Sequence, residues 1–268
     1  MVDQPQDWLS FAADIAVDIA VEAGEIEKRY FRRSHARRKA DGTLITEADE
    51  QANAFIVAQL RRQFPDHAIL SEEGDTVYDP SKQYTWVVDP LDGTTNFARG
   101  LVIWGVSIGL LADGAPVLGV LHFPLLHETY RAIAGGTAFC NDELLELDAE
   151  TVIDNQQILT LCTRSRRRFH IDTPLKTRML GSAAYHLLTV ATGAALAGIE
   201  STPKVWDLAA AYVVLTAAGG VAAHTDGTPI FPLSPVHEDY VAKSKPVLAA
   251  GSQRLFEQLQ QNIQPISG

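Results

Sequence analysis

Two aspartates in the run Trp86–Phe97, Asp89 and Asp92, have the residue type and spacing that best suit chemistry in this chain. An apolar stretch from Tyr84 to Val88 precedes them and is predicted to form a short buried strand that ends at Asp89. Because the two carboxylates flank a turn at Pro90, both can point at one position. Adjacent anions repel each other unless a cation lies between them, and carboxylate oxygens suit Mg²⁺ or a similar hard ion.

The residues that follow this pair could hold a phosphate group. Gly93, Thr94 and Thr95 offer backbone N–H groups, and the glycine lets an anion approach the backbone closely. An ordinary structural alternative also exists, in which Asp-Pro ends a strand and Asp92 caps a helix. This segment alone does not separate the two interpretations.

Two more acidic segments lie at the predicted ends of elements. Glu72 and Glu73 follow the apolar stretch 68–71, and Asp207 stands at the start of an apolar helix. Taken singly, the glutamates are explained as solvated loop charge and Asp207 as a helix N-cap. Together with the Asp89 and Asp92 turn, they form a recognisable set.

The elements that must position these residues are a mixture of helices and strands. Hydrophobic periodicity and turn residues predict helices near 6–33, 46–62, 182–193, 207–218 and from Gln253, and strands near 68–71, 84–88, 102–112, 115–123, 129–134, 158–162, 220–224 and 246–250. This mixture favours an α+β or layered α/β fold over an all-α fold. We expect a single domain over 1–268, built from two packed halves of roughly 1–145 and 146–268.

Composition narrows the class of protein. No segment approaches the roughly 18 continuous apolar residues of a membrane span, and the polar N-terminus does not resemble a signal peptide. Cys140 and Cys162 are too few for a disulfide framework, which suggests the cytoplasm. The formal net charge of −11 argues against a general nucleic-acid binder.

Two basic islands, at 28–39 and 164–168, contain half of the 22 lysines and arginines. The plain interpretation is a solvated helix end and a surface loop. The alternative is that one or both islands face an anionic ligand and offset the acidic site.

Taken together, these motifs closely resemble those of the inositol monophosphatase family of metal-dependent, lithium-sensitive phosphatases. The resemblance extends from Lys39 through Gly220 and is carried by Trp86–Phe97, Trp206–Ala211 with Ala218–Gly220, Asp41–Asp49, Phe64–Glu73 and Gly181–Ala184. It implies an αβαβα layered sandwich with the metal site between its halves.

The resemblance also implies a ligand set for two or three Mg²⁺ ions. The ligands would be Glu72, Asp89, Asp92, Asp207 and the carbonyl oxygen of Leu91, with Glu73 behind Glu72. Thr94 and Glu72 would orient the attacking water, and the amides of Gly93, Thr94 and Thr95 would bind the phosphate. Asp49 would lie beside the cluster, although the same residue could close a capping box that begins at Thr46.

Three residues are implied on the substrate side. Gly181 and Ser182 open a helix of small residues, where substrate contact and close helix packing are both open. Glu200 matches a carboxylate that binds substrate hydroxyls, although by itself it would be taken for surface charge. Leu196 stands where relatives usually have an aspartate, on a segment expected to face the substrate, and this departure leaves the substrate's identity open.

The function implied is Mg²⁺-dependent hydrolysis of a small polyol phosphate, with inositol monophosphate as first choice. Fructose 1,6-bisphosphate and histidinol phosphate are alternatives within the same fold. A non-catalytic binding protein is the alternative of another class, and the complete carboxylate set argues against it. The resemblance further implies a homodimer, in which the apolar stretch Leu101–Trp104 either contributes to the contact or forms a core strand.

Overall fold

A computed structural model of the protein describes residues 6–39 and 42–266. Asp41, the first residue of one motif named above, lies outside the described residues. The helices are α1 Gln6–Tyr30, α2 Glu47–Gln63, α3 Thr94–Ala98, α4 Thr163–Arg168, α5 Ala183–Ala191, α6 Val205–Ala217 and α7 Gln253–Gln261. None of these described helices is both long enough and apolar enough to cross a membrane.

The strands follow one another along the chain as β1 Arg37–Arg38, β2 Leu44–Ile45, β3 Ala68–Ser71, β4 Val77–Tyr78, β5 Tyr84–Asp92, β6 Gly105–Ala112, β7 Ala115–Phe123, β8 Glu128–Ile133, β9 Ala138–Cys140, β10 Glu143–Leu145, β11 Ile158–Leu161, β12 Phe169–Ile171, β13 Lys176–Arg178, β14 Ala197–Glu200, β15 Val221–His224, β16 Glu238–Asp239, β17 Val247–Ala250 and β18 Ile263–Pro265. The larger sheets are a seven-stranded one, in the order β10-β9-β8-β7-β6-β5-β3, and a five-stranded one, in the order β13-β11-β14-β17-β15.

Helices cover both faces of both sheets. One face of the seven-stranded sheet packs on α1 and α2, where residues such as Ile56 and Trp86 are fully buried. Its other face shares a core with α5, α6 and the five-stranded sheet. The remaining face of the five-stranded sheet packs on α7 through Leu255, Phe256 and Leu259. The order is therefore helix, sheet, helix, sheet, helix, which confirms the predicted α+β sandwich.

The five-stranded sheet brings several strand ends together. Strands β13, β11 and β14 are parallel neighbours, so their carboxyl ends lie at one edge. Glu200 is the last residue of β14 at that edge. Parallel strands place the residues that follow them side by side, and such edges commonly form ligand sites in layered folds.

Strand β5 differs from the prediction in its length. It does not end at Val88 but continues through Asp92, pairing Asp89 with Ser107 and Asp92 with Gly105 across a register shift. A register shift leaves extra residues on one strand, which bends locally and reorients its side chains. The shift therefore lies between the two aspartates that the sequence singled out.

Two other segments differ from expectation. Strand β6 begins at Gly105 and not near 102, so the core-strand interpretation is wrong for Leu101 and Val102, which are 57% and 44% exposed. Leu196 does not lie on a helix that faces the substrate. It immediately precedes β14 and is buried in the apolar core that the five-stranded sheet shares with α7, because its side chain is apolar.

Candidate metal centre and active site

Asp89, Asp92 and Asp207 converge in the structure. Each offers a carboxylate oxygen, and these three atoms lie within 4.8 Å of one another. Asp89 and Asp92 come from the end of β5 and are buried, while Asp207 comes from the first turn of α6 and is partly buried. Helix α6 is fastened against the sheet near this point, since the Ser107 hydroxyl donates to the Trp206 carbonyl at 3.3 Å.

The electrostatics of the cluster favour a cation. Burial raises the pKa of Asp92 to about 6. Burial, and then the charge of Glu72, raises the pKa of Asp89 well above its usual value. Burial, and then the charge of Asp92, does the same to the pKa of Asp207. A divalent cation would relieve both the desolvation and the mutual repulsion, and hard oxygen donors fit such an ion.

Asp207 also has a helix-capping role. Its Oδ2 accepts a hydrogen bond from the Lys204 backbone N–H at 2.7 Å, at the start of α6. The capping interpretation and the metal interpretation therefore describe the same side chain, because one carboxylate oxygen can cap while the other faces the cluster.

The beginning of α5 holds Asp92. The Ser182 hydroxyl donates a short hydrogen bond to Asp92 Oδ2, and the N–H groups of Ala183 and Ala184 approach the same carboxylate at 3.2 Å each. The Ser182 oxygen in turn accepts from Tyr185 N at 3.0 Å and so caps α5. The hydroxyl hydrogen points to Asp92, so Ser182 orients a carboxylate of the cluster.

Gly181 lies where only glycine fits. Its φ is +81°, and an added Cβ would come within 2.5 Å of Asn96 Oδ1. The Asn96 amide donates to the carbonyls of Leu180 at 2.7 Å and Ile103 at 2.8 Å. Asn96 therefore joins the residues after β5 to the turn before α5. The only sequence signal for this asparagine is its place within the Trp86–Phe97 motif, which does not indicate a separate role.

The predicted phosphate-binding segment forms the start of α3. Gly93 precedes this helix with a φ of +92°, and an added Cβ would lie 2.9 Å from the Ile103 carbonyl oxygen. Thr94 and Thr95 form the first turn of the helix. The first amides of a helix have no intrahelical acceptor, so this turn can present donors to an anion beside the aspartates.

Asp49 has both of the roles that the sequence left open. Its Oδ2 accepts from the Thr46 backbone N–H at 2.8 Å and from the Thr46 hydroxyl at 2.6 Å, which caps α2. Its Oδ1 lies 3.1 Å from the Thr94 hydroxyl, which is also 3.1 Å from the Leu91 carbonyl oxygen. Burial raises the pKa of Asp49. The capping carboxylate therefore also orients the threonine expected to handle water.

Glu72 lies beside the cluster but pairs with a lysine. Lys39 Nζ lies 2.9 Å from Glu72 Oε1 and closer still to Glu73 Oε1. Burial raises the pKa of Glu73 to about 7. Burial acts to lower the pKa of Lys39, but the charge of Glu72 and hydrogen bonds to both glutamates raise it overall. Lys39 belongs to the first basic island, where nothing in the sequence distinguishes it from its neighbours.

The other island residues make different contacts. Arg37 forms an ion pair with Glu50 at 2.8 Å on the surface. Arg164, from the second island, donates to the Thr202 hydroxyl at 2.8 Å, two residues beyond Glu200. The first island therefore contains both a surface pair and a residue that offsets the acidic site.

Glu200 is not surface charge. It is 5% exposed at the end of β14, and its Oε1 contacts Nδ1 of His186, which projects from α5 and is 1% exposed. The interpretation as surface charge is wrong because the fold buries the end of this strand under α5. His186 was missed, since a single histidine in an apolar helix gives no indication of a partner 14 residues away.

A layered α+β fold with a buried carboxylate cluster, helix starts around it and a lysine beside it is an arrangement suited to binding a cation next to an anion. Comparison with known proteins identifies the family. The model of the inositol monophosphatase family matches residues 8–264. The inositol-1-monophosphatase of Synechocystis sp. is 34% identical over 237 residues, which cover 84% of this chain and 81% of that protein.

Two further comparisons agree. A protein of Xylella fastidiosa named Nus factor SuhB is 34% identical over 222 residues, covering 78% of this chain and 80% of its own length. The solved inositol monophosphatase of Anabaena is 29% identical with a TM-score of 0.77, and the match covers 95% of each chain.

The chain belongs to the inositol monophosphatase family. It is therefore a phosphoric monoester hydrolase of a metal-dependent family, and the non-catalytic alternative loses its support.

Proposed function

We propose that this protein is a Mg²⁺-dependent phosphomonoesterase that acts on a small polyol phosphate, with inositol monophosphate as the first candidate. The observation that carries the proposal is the convergence of Asp89, Asp92 and Asp207 within 4.8 Å beside the start of α3. Such a site can hold two or three Mg²⁺ ions. When bound, Mg²⁺ supplies positive charge that activates water and stabilises the leaving oxygen.

Residues of this chain would prepare the reaction around the metal. The three aspartates, Glu72 and the Leu91 carbonyl oxygen would hold the ions. Thr94, oriented by Asp49, would act with Glu72 to aim the attacking water. These groups accelerate hydrolysis by positioning and by electrostatics, which carry most of the catalysis of phosphoryl transfer.

Backbone donors would hold the phosphate group. The amides of Gly93, Thr94 and Thr95 are proposed to bind its oxygens, supported by their place at the start of α3. Gly181 and Ser182 would border the other side of the substrate, where Ser182 also fixes Asp92. Glu200, buried at the end of β14, is proposed to accept hydrogen bonds from the hydroxyls of the alcohol portion.

The choice among substrates rests on the alcohol portion. Fructose 1,6-bisphosphate and histidinol phosphate remain alternatives, because the metal and phosphate groups described above would serve all three equally. A panel of these phosphomonoesters and an aryl phosphate, assayed with Mg²⁺, should give the highest kcat/KM for inositol 1-phosphate. A higher kcat/KM for either alternative would reassign the substrate without affecting the reaction class.

The same proposal includes assembly, location and inhibition. We propose a homodimer, supported by the exposed apolar side chains of Leu101 and Val102 immediately after the α3 region. Light scattering at micromolar concentration should give twice the chain mass, and Leu101→Asp should shift the mass toward the monomer; a monomer mass for the wild type would refute the dimer.

The two free cysteines support a cytoplasmic location, and family membership supports inhibition by Li⁺.

A further inference from the structure

The pair formed by His186 and Glu200 has a defined protonation pattern. The Leu180 backbone N–H donates to His186 Nε2 at 2.9 Å, so this nitrogen must carry a lone pair. The ring proton is therefore on Nδ1, the atom that contacts Glu200 Oε1. The arrangement is an imidazole whose Nε2 accepts a hydrogen bond and whose Nδ1–H donates one to Glu200.

One oxygen of Glu200 is thus occupied and the other is available. Oε1 accepts a hydrogen bond from His186 Nδ1–H, whereas Oε2 has no hydrogen-bond partner among residues 6–39 and 42–266. A buried carboxylate is costly unless its oxygens find donors. A partly satisfied carboxylate at the edge of the site is therefore suited to a donor that arrives with the substrate.

His186 also connects Glu200 to the metal cluster through the turn before α5. The backbone of Leu180 donates to His186 and accepts from Asn96, two residues before Ser182 donates to Asp92. Hydrogen bonds at the two ends of this turn, and the backbone of residues 180–182 between them, therefore connect the carboxylate that would bind the metal with the carboxylate that would bind the alcohol portion.

We propose that His186 is the positioning residue of the alcohol subsite: it holds Glu200 Oε1, leaves Oε2 as the acceptor for a substrate hydroxyl, and sets Glu200 relative to Asp92. This inference rests on the proposed function of Glu200. It names a specificity determinant, because an alcohol portion with a hydroxyl at that point gains a charged hydrogen bond that a phenol lacks.

The test compares selectivity, defined as kcat/KM for inositol 1-phosphate divided by kcat/KM for an aryl phosphate. In His186→Leu, which keeps the volume but donates nothing, selectivity should fall about tenfold to a hundredfold, the effect of one charged hydrogen bond, mainly through a higher KM for inositol 1-phosphate. His186→Asn can still donate near the position of Nδ1 and should recover most of the selectivity. His186→Gln carries its amide near the position of Nε2 and should not.

A double-mutant cycle separates action through Glu200 from general damage. Because His186 acts through this carboxylate, His186→Leu combined with Glu200→Gln should be no less selective than Glu200→Gln alone. His122→Leu is the matched control, since His122 is a buried histidine bound to Thr129 in the other half of the fold. It should lower Tm and leave selectivity unchanged.

The outcomes distinguish this inference from the proposed function. Wild-type protein without a preference for inositol 1-phosphate over the aryl phosphate would overturn the assigned substrate class. A wild-type preference that persists in His186→Leu, or selectivity losses that add in the double mutant, would overturn the role of His186. If the Leu variant does not fold, equal selectivity in the Asn and Gln variants would overturn it instead.

Discussion

Ser182→Ala tests how Asp92 is held. The Ser182 hydroxyl has two separate tasks, because it donates to Asp92 and accepts from Tyr185 N as the cap of α5. Ser252 offers a matched control, since its hydroxyl caps α7 by accepting from Leu255 N and touches no acidic residue of the cluster. The difference between the two alanine variants therefore isolates the contact with Asp92.

The magnitudes follow from these contacts. Losing a serine cap costs about 1 kcal/mol in either variant. Ser182→Ala should lose a further 1.5–3 kcal/mol or so, because its hydrogen bond goes to a charged group. For a chain of this size, that further loss corresponds to a Tm roughly 3–12 °C below the Ser252→Ala value in metal-free buffer at pH 8.

Ser182→Ala should change the Mg²⁺ dependence of the activity more than it changes the stability of the fold. Residues that orient a metal ligand typically affect metal affinity or activity by about 10- to 100-fold. The assay is the rate of aryl phosphate hydrolysis as free Mg²⁺ is varied, with the half-saturating concentration as the readout. Ser182→Ala should raise it by about that factor, and Ser252→Ala should leave it at the wild-type value. Equal half-saturation and equal Tm in the two variants would refute the role assigned to Ser182.

Two further substitutions test the fold around the site. Gly93→Ala should abolish most activity and lower the stability more than Gly42→Ala does. Both variants lose about 1–2 kcal/mol because of the positive φ, but only at Gly93 would the added Cβ lie 2.9 Å from a backbone oxygen, that of Ile103. Equal Tm losses would contradict the close approach. Burial raises the pKa of Glu27 well above its usual value, and neither of its oxygens has a hydrogen-bond partner among the described residues. Because the folded protein holds this proton more tightly than the unfolded chain, wild-type stability falls as pH rises above the ordinary carboxyl range. The Tm of Glu27→Gln minus the Tm of wild type should therefore increase from pH 5 to pH 8. The same difference for the exposed control Glu22→Gln should stay constant.

Local patterns were sufficient for most of the fold. The apolar spacing of α1 and the alternating runs of β6 and β7 depend on residues close in sequence, so their positions could be predicted. The end of β5 could not, because its continuation to Asp92 depends on pairing with β6 across a register shift. The exposure of Leu101 and Val102 could not be predicted either, since an apolar run alone does not show whether a sheet continues through it.

The site divides in the same way. The positions of Asp89 and Asp92 were evident because both lie in one short motif. Lys39 and His186 were not, since their partners are 33 and 14 residues away and only the folded chain brings them together. The hydrogen bond from the Ser182 hydroxyl to Asp92 could not be predicted either, because it depends on how α5 packs against β5.

The three converging aspartates are expected to make this protein a metal-dependent phosphatase. The most direct measurement is phosphate release from an aryl phosphate by EDTA-stripped protein as Mg²⁺ is returned, with Asp89→Asn as the blank for contaminating phosphatases. An aryl substrate keeps the result independent of the alcohol portion. We predict no release in EDTA, saturable recovery with Mg²⁺ in the wild type, and no recovery in Asp89→Asn. Full activity of the wild type in EDTA, or equal recovery in the variant, would contradict a metal site at these aspartates.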